Sequence, residues 1–549
     1  MAPRWLLPVC LLVIAGCRTS GPSTASPAPP AGNATTASIQ TAQDQTPSGL
    51  HWWNDRVFYE VFVRSFADSN TGPLANDGIG DLQGLIEKLD YLNDGNPATT
   101  SDLGVTGLWL MPINPSPSYH GYDVTDYDGI NPQYGTRADF ERLLAECHKR
   151  GIKVITDLVL NHTSSDHPWF RKALAGDPQF RAWYLFVDAD HVPTVRGPWN
   201  QQVWQTMQGQ HYFGLFWSGM PDLNYRNPAV TAEAYRIADE WLRDLHVDGF
   251  RLDAARHLIE DGDVMADTPE TLAWLRAFRT HVKQTAPDAL VVGEVWTHTE
   301  TIADYVTGGS LDLGFEFDVA DAIIDAVKTH RRDKLAYALE NAVGAYPALQ
   351  FASFVTNHDQ DRIASQLGGD PARLKLAASL LLAAPGVPFL YYGEEVGQVG
   401  AKPDEMIRNP MPWTAGRNGG FTNAPRPWEP LQRDPGHRNV AAQDPDPGSL
   451  LNHYRRWIRL RQAEPALRQG DFRLLDLGRD DVVAWQRSAA GSTVTFIANL
   501  GAQAVEGLAL PGDVSSATRI DVPGIDAATS ARDASMLEPY GVRLYARRQ

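Results

Sequence analysis

The chain has 549 residues, of which 66 are acidic and 48 are basic, so its formal net charge at neutral pH is −18. This balance argues against nucleic acid or another polyanion as the partner, because such binding depends on clustered Lys and Arg. With 43% hydrophobic and 21% charged residues, the chain has the composition of a soluble globular protein and is long enough for about two to four domains.

The first 17 residues, MAPRWLLPVCLLVIAGC, have the pattern of a targeting segment. Arg4 gives a positive start, and the apolar stretch after it is too short to span a bilayer as a mature helix. The small residues of "IAGC" precede Cys17 as in the lipobox of bacterial lipoproteins, so we expect Cys17 to be acylated and to become the new N-terminus. A plain secretory signal is the alternative. The protein is therefore predicted to be exported and lipid-anchored to a membrane, in the periplasm or at the cell surface.

Residues 18–50 are rich in Ser, Thr, Ala and Pro and have almost no large apolar side chains, which predicts a disordered linker. Of the three cysteines, Cys10 would leave with the targeting segment and Cys17 would carry lipid. Cys147 lies on the apolar stripe of a predicted helix, where core packing is expected. No internal disulfide is predicted.

From residue 52 onward, short apolar or β-branched runs alternate with stretches of helical periodicity. Several runs are almost continuously apolar, as strands buried on both faces are. Eight such alternating units predict the α/β class and a (β/α)₈ barrel, with a doubly wound sheet as the competing topology. The runs are 57–66, 104–113, 153–161, 248–255, 290–296, 311–318, 351–359 and 387–395.

Two segments depart from this alternation. Residues 162–222, between the third and fourth runs, are rich in Trp, Pro, Gly and Asp, and so long a connection predicts an inserted subdomain. Residues 466–549 have strand-like runs again, which predicts a C-terminal β-sandwich. The barrel would then comprise residues 51–161 and 223–465.

Polar side chains stand at the carboxyl ends of four of the predicted strands. In "DGFRLDAARH", Arg251 and Asp253 are two apart and therefore share one face of their strand. A buried ion pair that fixes strand register would explain these two residues alone. It does not explain similar groups at three other strand ends, and barrel enzymes place their catalytic residues at this rim. Those other groups are Asp157, Asn161, His162, Glu294, His358 and Asp359.

The motifs DLVLNH, GFRLDAARH, GEVW and TNHDQ resemble, in this order, the four signature regions of the α-amylase superfamily of glycoside hydrolases. The resemblance covers about residues 52–430. In addition, "MPDLN" at 220–224 resembles a further signature, in the form found in a branch that includes bacterial α-amylases.

The resemblance implies a retaining hydrolase in which Asp253 is the nucleophile and Glu294 the acid/base, with their carboxyl groups roughly 5–5.5 Å apart. Asp359 would bind sugar hydroxyls, and Arg251 would keep Asp253 ionised and oriented. The substrate-binding residues implied are Tyr122, His120, His162, Arg251, His358 and Arg408.

The stretch DSNTGPLANDGIGD, residues 68–81, resembles a calcium loop of the form D-x-N-x-D-x-I-x-D, but "TGPLAN" intrudes after Asn70. A solvated loop without metal is the alternative. A second calcium position is implied by Asn161 and the carbonyl of His257, with its other ligands unidentified. No organic cofactor is expected. If the intruding residues bulge outward, the Ca²⁺ ligands of the loop would be Asp68, Asn70, Asp77, the Ile79 carbonyl and Asp81.

Three details of the motifs bear on the substrate, an α-glucan. Ala254 favours α-1,4 bonds, because relatives specific for α-1,6 bonds tend to carry Val there. Tyr119 before His120 resembles endo-acting amylases, whereas Arg408 resembles exo-acting relatives. The expected function is that of an α-amylase on starch and maltooligosaccharides, with an α-glucosidase or a maltogenic, transglycosylating enzyme as the alternative. A non-catalytic sugar-binding relative is more remote, because all three catalytic carboxylates are present.

Overall fold

The computed structural model describes residues 50–432, 435–510, 514, 518–520 and 536–548. The predicted targeting segment, Cys17 and the predicted linker up to residue 49 lie outside these residues. Within the described ranges, no helix is long and apolar enough to cross a bilayer.

The strands and helices are numbered along the chain. The strands are β1 Phe58–Val61, β2 Gly107–Leu110, β3 Lys153–Leu158, β4 Phe186–Val187, β5 Trp204–Met207, β6 Gln210–Phe213, β7 Gly249–Leu252, β8 Leu290–Gly293, β9 Leu313–Phe315, β10 Phe351–Ser353, β11 Val387–Tyr391, β12 Arg473–Leu475, β13 Val482–Ala489, β14 Ser492–Asn499, β15 Thr518–Arg519 and β16 Val542–Arg548. The α-helices are α1 Val63–Phe66, α2 Leu82–Glu87, α3 Leu89–Leu92, α4 Arg137–Lys149, α5 Pro168–Leu174, α6 Pro178–Arg181, α7 Pro228–Asp239, α8 Pro269–Thr285, α9 Thr299–Thr307, α10 Phe317–Thr329, α11 Asp333–Ala345, α12 Ile363–Gln366, α13 Pro371–Ala383, α14 Asp404–Ile407, α15 Val440–Gln443, α16 Leu450–Ala463 and α17 Pro465–Gln469.

Eight parallel strands close into a barrel in the order β1-β11-β10-β9-β8-β7-β3-β2. Each strand lies within one of the eight predicted runs, so the barrel is confirmed and the doubly wound sheet is excluded. The strands are shorter than the runs, because the chain leaves the sheet at the carboxyl rim and carries the polar motif residues into the loops there.

Helix α4 shows why the predicted helices form where they do. Thr136 caps its first turn by accepting a hydrogen bond from the backbone N–H of Asp139, whose carboxylate in turn accepts from the N–H of Thr136. Cys147 lies on the buried face as predicted and forms no disulfide. Burial raises the pKa of its thiol to about 12, so Cys147 packs in the core as an unreactive thiol.

The segment between β3 and β7 contains α5, α6 and a three-stranded antiparallel sheet in the order β4-β6-β5. Val203, Phe213 and Leu215 of this segment form a small hydrophobic cluster with Met265, which lies in the loop after β7, and the cluster is separate from the main core. This segment therefore forms a small sheet of its own, inserted between β3 and β7, which are neighbours in the barrel.

The described part of the C-terminal region forms one five-stranded antiparallel sheet, in the order β12-β13-β14-β16-β15. On one face, Trp485 stacks on Phe496 with ring centroids 4.3 Å apart, and Trp457 of α16 lies 6.1 Å from Phe496. The other face packs against loop residues that include Val505 and Leu537. The sheet is thus covered on both sides, by helices on one face and by loops on the other.

Candidate active site

Arg251 of β7 lies at the centre of a group of carboxylates at the carboxyl rim of the barrel. Its Nη1 donates to Asp157 Oδ1 at 2.6 Å and to Asp253 Oδ1 at 2.6 Å. Its Nη2 lies 2.9 Å from Glu294 Oε2. Asp157 belongs to β3, Asp253 follows β7 and Glu294 follows β8. One guanidinium therefore brings together acidic side chains from three neighbouring strand ends, including the two that the sequence predicts as catalytic.

A sharp turn after β7 fixes the relative position of Asp253 and Glu294. Ala254 adopts a left-handed conformation with φ 47°, which is costly for residues other than glycine and is found mostly at turns and functional sites. Its backbone N–H donates to Glu294 Oε2 at 3.0 Å, and the N–H of Ala255 donates to the carbonyl of Glu294 at 3.1 Å. The turn thus holds the end of β7 against the end of β8, and the small side chain of Ala254 allows it.

The site has a sealed floor and an accessible upper layer. The side chains of Arg251 and Asp157 are 1% and 0% exposed, whereas those of Asp253 and Glu294 are 11% and 15% exposed. Asp359, after β10, is 28% exposed. A ligand entering from solvent can therefore reach Asp253, Glu294 and Asp359, whereas Arg251 contacts Asp253 and Glu294 from the sealed floor.

Burial sets the protonation of the two central carboxyls. It raises the pKa of Glu294, Arg251 opposes this rise, and the nearby Asp253 and Asp359 add to it. Burial likewise raises the pKa of Asp253 against the opposing effect of Arg251. Since both groups share one guanidinium, they titrate as a pair. A carboxyl with a raised pKa, such as Glu294, is suited to donate a proton.

Asp359 stays ionised because two cationic side chains hold it. Arg408 Nη2 lies 2.7 Å from Asp359 Oδ1, and His358 Nε2 lies 3.2 Å from Asp359 Oδ2. Burial alone would raise the pKa of Asp359, but His358 and Arg408 hold it well below its ordinary value. Arg408, which the sequence places near the site from a loop after β11, is buried at this position.

Tyr122 connects His358, the residue before Asp359, to Asp157 at the sealed floor of the site. Its ring stacks on His358 with centroids 5.4 Å apart and an interplanar angle of 13°. Its hydroxyl lies 2.6 Å from His358 Nε2 and donates to Asp157 Oδ2 at 3.1 Å. Tyr122, which the resemblance implies to bind substrate, is therefore also part of the polar network beneath the catalytic carboxylates.

The other two predicted histidines hold the backbone of Tyr122. His162 is almost fully buried, with Nε2 3.0 Å from the Tyr122 carbonyl, and His120 accepts a hydrogen bond from the Tyr122 N–H at 3.1 Å. Burial lowers the pKa of both imidazoles to about 4, so both are neutral at physiological pH. They contact the site through Tyr122.

The predicted calcium loop folds on its own hydrogen bonds. Asp68 accepts from the backbone N–H groups of Asn76 (2.9 Å) and Gly78 (2.8 Å) and from the hydroxyl of Thr422. Asp81 caps α2 by accepting from the N–H of Gly84 at 2.7 Å.

The remaining predicted ligands of this loop point to other protein groups as well. Asp77 accepts from the N–H of Ile79 at 2.8 Å, and the Asn70 amide donates to Glu87 at 3.0 Å. Within the described residues, the carboxylates of Asp68, Asp77 and Asp81 do not come within 4.8 Å of one another as a group of three. The binding of Ca²⁺ by this loop therefore stays a prediction, and its acidic side chains accept hydrogen bonds from neighbouring backbone N–H groups, as Asp68 does from the inserted Asn76.

The second predicted cation position fits an oxygen-binding metal better. Asn161 Oδ1 and Glu260 Oε1 are both buried with no hydrogen-bond partner among the described residues. Asn161 Nδ2 donates to Asp222 at 3.0 Å, and burial together with the nearby Glu260 raises the pKa of Asp222 well above its ordinary value. One unpartnered amide oxygen and two buried carboxyls, one of which has an unpartnered oxygen, form a donor set that suits Ca²⁺. His257, whose carbonyl is the other predicted ligand, closes the short helical turn Ala255–His257 after Asp253.

Three residues of these sites were not found by sequence reasoning. Glu60 contacts His358 from β1, Asp222 accepts a hydrogen bond from Asn161, and Glu260 lies near enough to Asp222 to raise its pKa. Glu60 is the one charged residue in the apolar run "VFYEVFV", and this contrast was a usable signal. Asp222 lies inside the "MPDLN" motif, whereas nothing in the sequence around Glu260 marks it.

Known proteins resemble this chain over most of its length. The family described as "Alpha amylase, catalytic domain" matches residues 60–470. Alpha-amylase 3 of Dictyoglomus thermophilum is 39% identical over 456 residues, 82% of this chain and 85% of that protein. A trehalose synthase/amylase of Mycolicibacterium smegmatis is 34% identical over 80% of this chain and 81% of that protein. Among solved structures, an alpha-amylase from H. orenii is 39% identical and aligns with a TM-score of 0.78 over 90% of this chain and 99% of its own.

Proposed function

The chain belongs to the α-amylase family of glycoside hydrolases, and on that premise we propose that it is an α-amylase hydrolysing the α-1,4-glucosidic bonds of starch and maltooligosaccharides. The observation that supports this most is the shared contact of Asp253 and Glu294 with the Arg251 guanidinium. Two carboxyls held on one cation at an accessible rim are close enough to act on the two sides of one glycosidic bond.

The cleavage follows from the protonation of these groups. Asp253 attacks the anomeric carbon while Glu294 donates its proton to the leaving oxygen, which gives a covalent glycosyl-enzyme. Glu294, now ionised, then takes a proton from water, which displaces Asp253 with net retention of configuration. Asp359, ionised by its contacts with His358 and Arg408, accepts hydrogen bonds from sugar hydroxyls and orients the ring.

The proposed linkage and mode of attack rest on Ala254, in the turn after β7, and on Tyr119 and His120. Ala254 supports α-1,4 bonds, and Tyr119 beside His120 supports internal attack on long chains, as the sequence resemblance implies. The relative from D. thermophilum and the H. orenii structure, both named α-amylases, agree with this choice at 39% identity.

A second candidate is exo-acting or transglycosylating cleavage by the same carboxylates. It is favoured by the Arg408–Asp359 contact at 2.7 Å, since Arg408 resembles exo-acting relatives and here closes on the sugar-binding carboxylate. The 34% identity to a trehalose synthase/amylase points in the same direction.

We also propose that Ca²⁺ is held by Asn161, Asp222, Glu260 and the His257 carbonyl. The buried, unpartnered Asn161 Oδ1 and Glu260 Oε1 support this site. The ion would supply charge that offsets the two buried carboxyls and would tie the inserted segment to the loop after β7. It takes no part in the bond-breaking steps above.

The function is tested by release of reducing sugar from starch and by the product profile from maltoheptaose. We expect internal fragments of several lengths, whereas one short product released from an end would favour the second candidate. Asp253→Asn, an isosteric change, should remove about 10⁴-fold or more of the activity and leave the fold intact. Full activity of this variant would refute Asp253 as nucleophile, and an inactive but sugar-binding wild-type protein would establish the non-catalytic alternative.

A further inference from the structure

Glu60 is a buried carboxylate inside the barrel that the cleavage mechanism does not use. It lies on β1 and is 2% exposed. Its Oε1 is 2.5 Å from His358 Nδ1, so the two side chains form a direct, short hydrogen bond. Such a residue is expensive to bury without a charged partner, and His358 is that partner.

His358 faces acceptors at both of its ring nitrogens. Nδ1 meets Glu60, and Nε2 meets the Tyr122 hydroxyl at 2.6 Å and Asp359 Oδ2 at 3.2 Å. Because the Tyr122 hydroxyl donates its own proton to Asp157, it accepts from Nε2. Only an imidazolium, with protons on both nitrogens, satisfies all of these contacts at once.

We propose that Glu60 is a positioning residue for glycoside cleavage, which holds the second proton on His358 so that the imidazolium orients both Asp359 and Tyr122. This inference rests on the proposed function of the site. It goes beyond that function by assigning a role to Glu60, which contacts Nδ1 of His358, whereas Asp359 lies at Nε2. Glu60 does not touch the substrate; it acts through His358.

The charges around His358 support this assignment. Burial disfavours the imidazolium, but Asp359 and Glu60 together raise the pKa of His358 to about 10. Without Glu60, burial would be opposed mainly by Asp359, whose charge Arg408 already shares, and the pKa of His358 would fall. The charged or titratable groups that face His358 are Glu60 from β1, Tyr122 from the loop after β2, Asp157 from β3, Asp253 after β7, Asp359 beside it and Arg408 after β11.

The first experiment measures kcat/KM against pH for Glu60→Gln. The amide keeps the shape and can still accept from Nδ1, but it cannot hold a second proton on His358. We expect a loss of about 10-fold or more at neutral pH and a further loss as pH rises through the lowered pKa of His358. The matched control is Glu395→Gln, a buried carboxylate that accepts from Tyr59 and Tyr91 and contacts no imidazole among the residues that the structure describes. This control should leave the shape of the pH profile unchanged.

A double-mutant cycle separates positioning from a general structural effect. If Glu60 acts through His358, Glu60→Gln should cost less than about 2-fold in kcat/KM in a His358→Gln background. An equal fold-loss of kcat/KM from Glu60→Gln in the wild-type and His358→Gln backgrounds would overturn the proposal. So would a pH profile of Glu60→Gln with the same shape as that of the wild type.

A final measurement does not depend on activity and therefore distinguishes this proposal from the proposed function. In ¹⁵N-histidine-labelled protein, the His358 resonances, assigned by their loss in His358→Gln, should show both nitrogens protonated at pH 8 in the wild type. Glu60→Gln should show one proton only. A neutral His358 in the wild type would contradict the proposal, even if the enzyme cleaves starch. An imidazolium that loses one proton in Glu60→Gln would support the proposal, even if the substrate proves to be another glycan.

Discussion

Arg251 controls the charge of the site because its single guanidinium serves three carboxylates. Each contact is short, and neither Arg251 nor Asp157 is exposed to water that could replace a lost contact. Guanidinium is suited to this task because its planar fork presents several donors in fixed directions, which an ammonium cannot do. The geometry of Asp253 and Glu294 therefore depends on one side chain that the substrate does not reach.

Arg251→Lys is the direct test of this dependence. Lysine keeps the charge but cannot contact all three carboxylates, so we expect kcat/KM to fall by about 100-fold or more. The hydrogen bond from Arg251 helps to lower the pKa of Asp253, so loss of that bond should leave the nucleophile protonated at higher pH. The acidic limb of the kcat/KM profile should therefore move to higher pH.

The control for this variant is Arg236→Lys on α7. Arg236 also bridges two carboxylates, those of Asp128 and Glu233, but at an exposed surface where such pairs contribute little. Its activity and pH profile should match those of the wild type. An acidic limb unchanged in Arg251→Lys would show that the guanidinium does not set the charge of Asp253.

Glu294 should determine the alkaline limb of the wild-type profile. Burial, Asp253 and Asp359 raise its pKa, so the protonated acid persists above the ordinary titration range of glutamate and activity is lost as pH rises through that pKa. Glu294→Gln should abolish activity on starch. With a substrate whose leaving group needs no protonation, such as a glycosyl fluoride, the variant should form the glycosyl-enzyme with no alkaline limb. A persisting limb there would assign it to another group.

At the scale of single residues, sequence periodicity located Arg251 and Asp253 correctly because alternation needs only the strand and its direction. It could not assign Arg251 to Asp157 and Glu294, since those contacts depend on which strands are neighbours in the closed barrel. Glu60 was missed for the same reason: its partner lies 298 positions away in the chain.

At the scale of elements, the eight runs identified the strands but not their ends. Phe317 illustrates this: it lies in the sixth run and is apolar, yet it begins α10 directly after β9. A strand end at the barrel rim is set by where the sheet curves away, which the local sequence does not record. The hydrogen bonds of the loop at residues 68–81 were missed for a similar reason, because its sequence does not reveal that the N–H groups of Asn76 and Gly78 point to Asp68.

The loop after β3, the segment around Asp222 and the turn after β7 should be joined by calcium. A metal that binds only the folded state raises the melting temperature as its concentration increases. We expect Ca²⁺ added to chelator-treated enzyme to raise Tm, and we expect Asn161→Ala and Glu260→Gln to remove that rise. The measurement is Tm by calorimetry across a calcium titration.

Asp77→Asn is the matched control for the calcium prediction, because it changes an exposed carboxylate of the other loop while keeping an acceptor for the Ile79 N–H. This variant should retain the full calcium-dependent rise. If Asp77→Asn removed the rise and Asn161→Ala did not, the metal would lie in the loop at residues 68–81, as the sequence motif implies.

At the scale of the whole molecule, the barrel and the C-terminal sheet share buried polar contacts. Trp485 of β13 donates to the carbonyl of Ala383 at the end of α13, and Arg487 Nη1 of the same strand lies 3.5 Å from that oxygen. Within the barrel, Arg461 of α16 donates to the neighbouring carbonyls of Leu382, Ala384 and Gly386. The carbonyls left over at a helix end are satisfied by these donors. The C-terminal sheet therefore completes the barrel's structure on the side of α13, away from the catalytic rim.

The targeting segment leads to the last prediction, which concerns where this enzyme works. We propose that the chain is exported and anchored by lipid on Cys17, as the "IAGC" pattern predicts. Each buried methylene of an acyl chain contributes roughly 0.8 kcal/mol, so a multiply acylated cysteine holds a protein on a membrane firmly.

In a bacterial host, the wild-type protein should sediment with membranes and be released by detergent but not by high salt, because the attachment is not electrostatic. Cys17→Ser should appear in the soluble exported fraction with unchanged kcat/KM on starch, since the barrel is untouched. Cys10→Ser, a change within the apolar part of the same segment, should stay with the membranes. If Cys17→Ser still sedimented with membranes and needed detergent for release, lipid on that residue would not be the anchor.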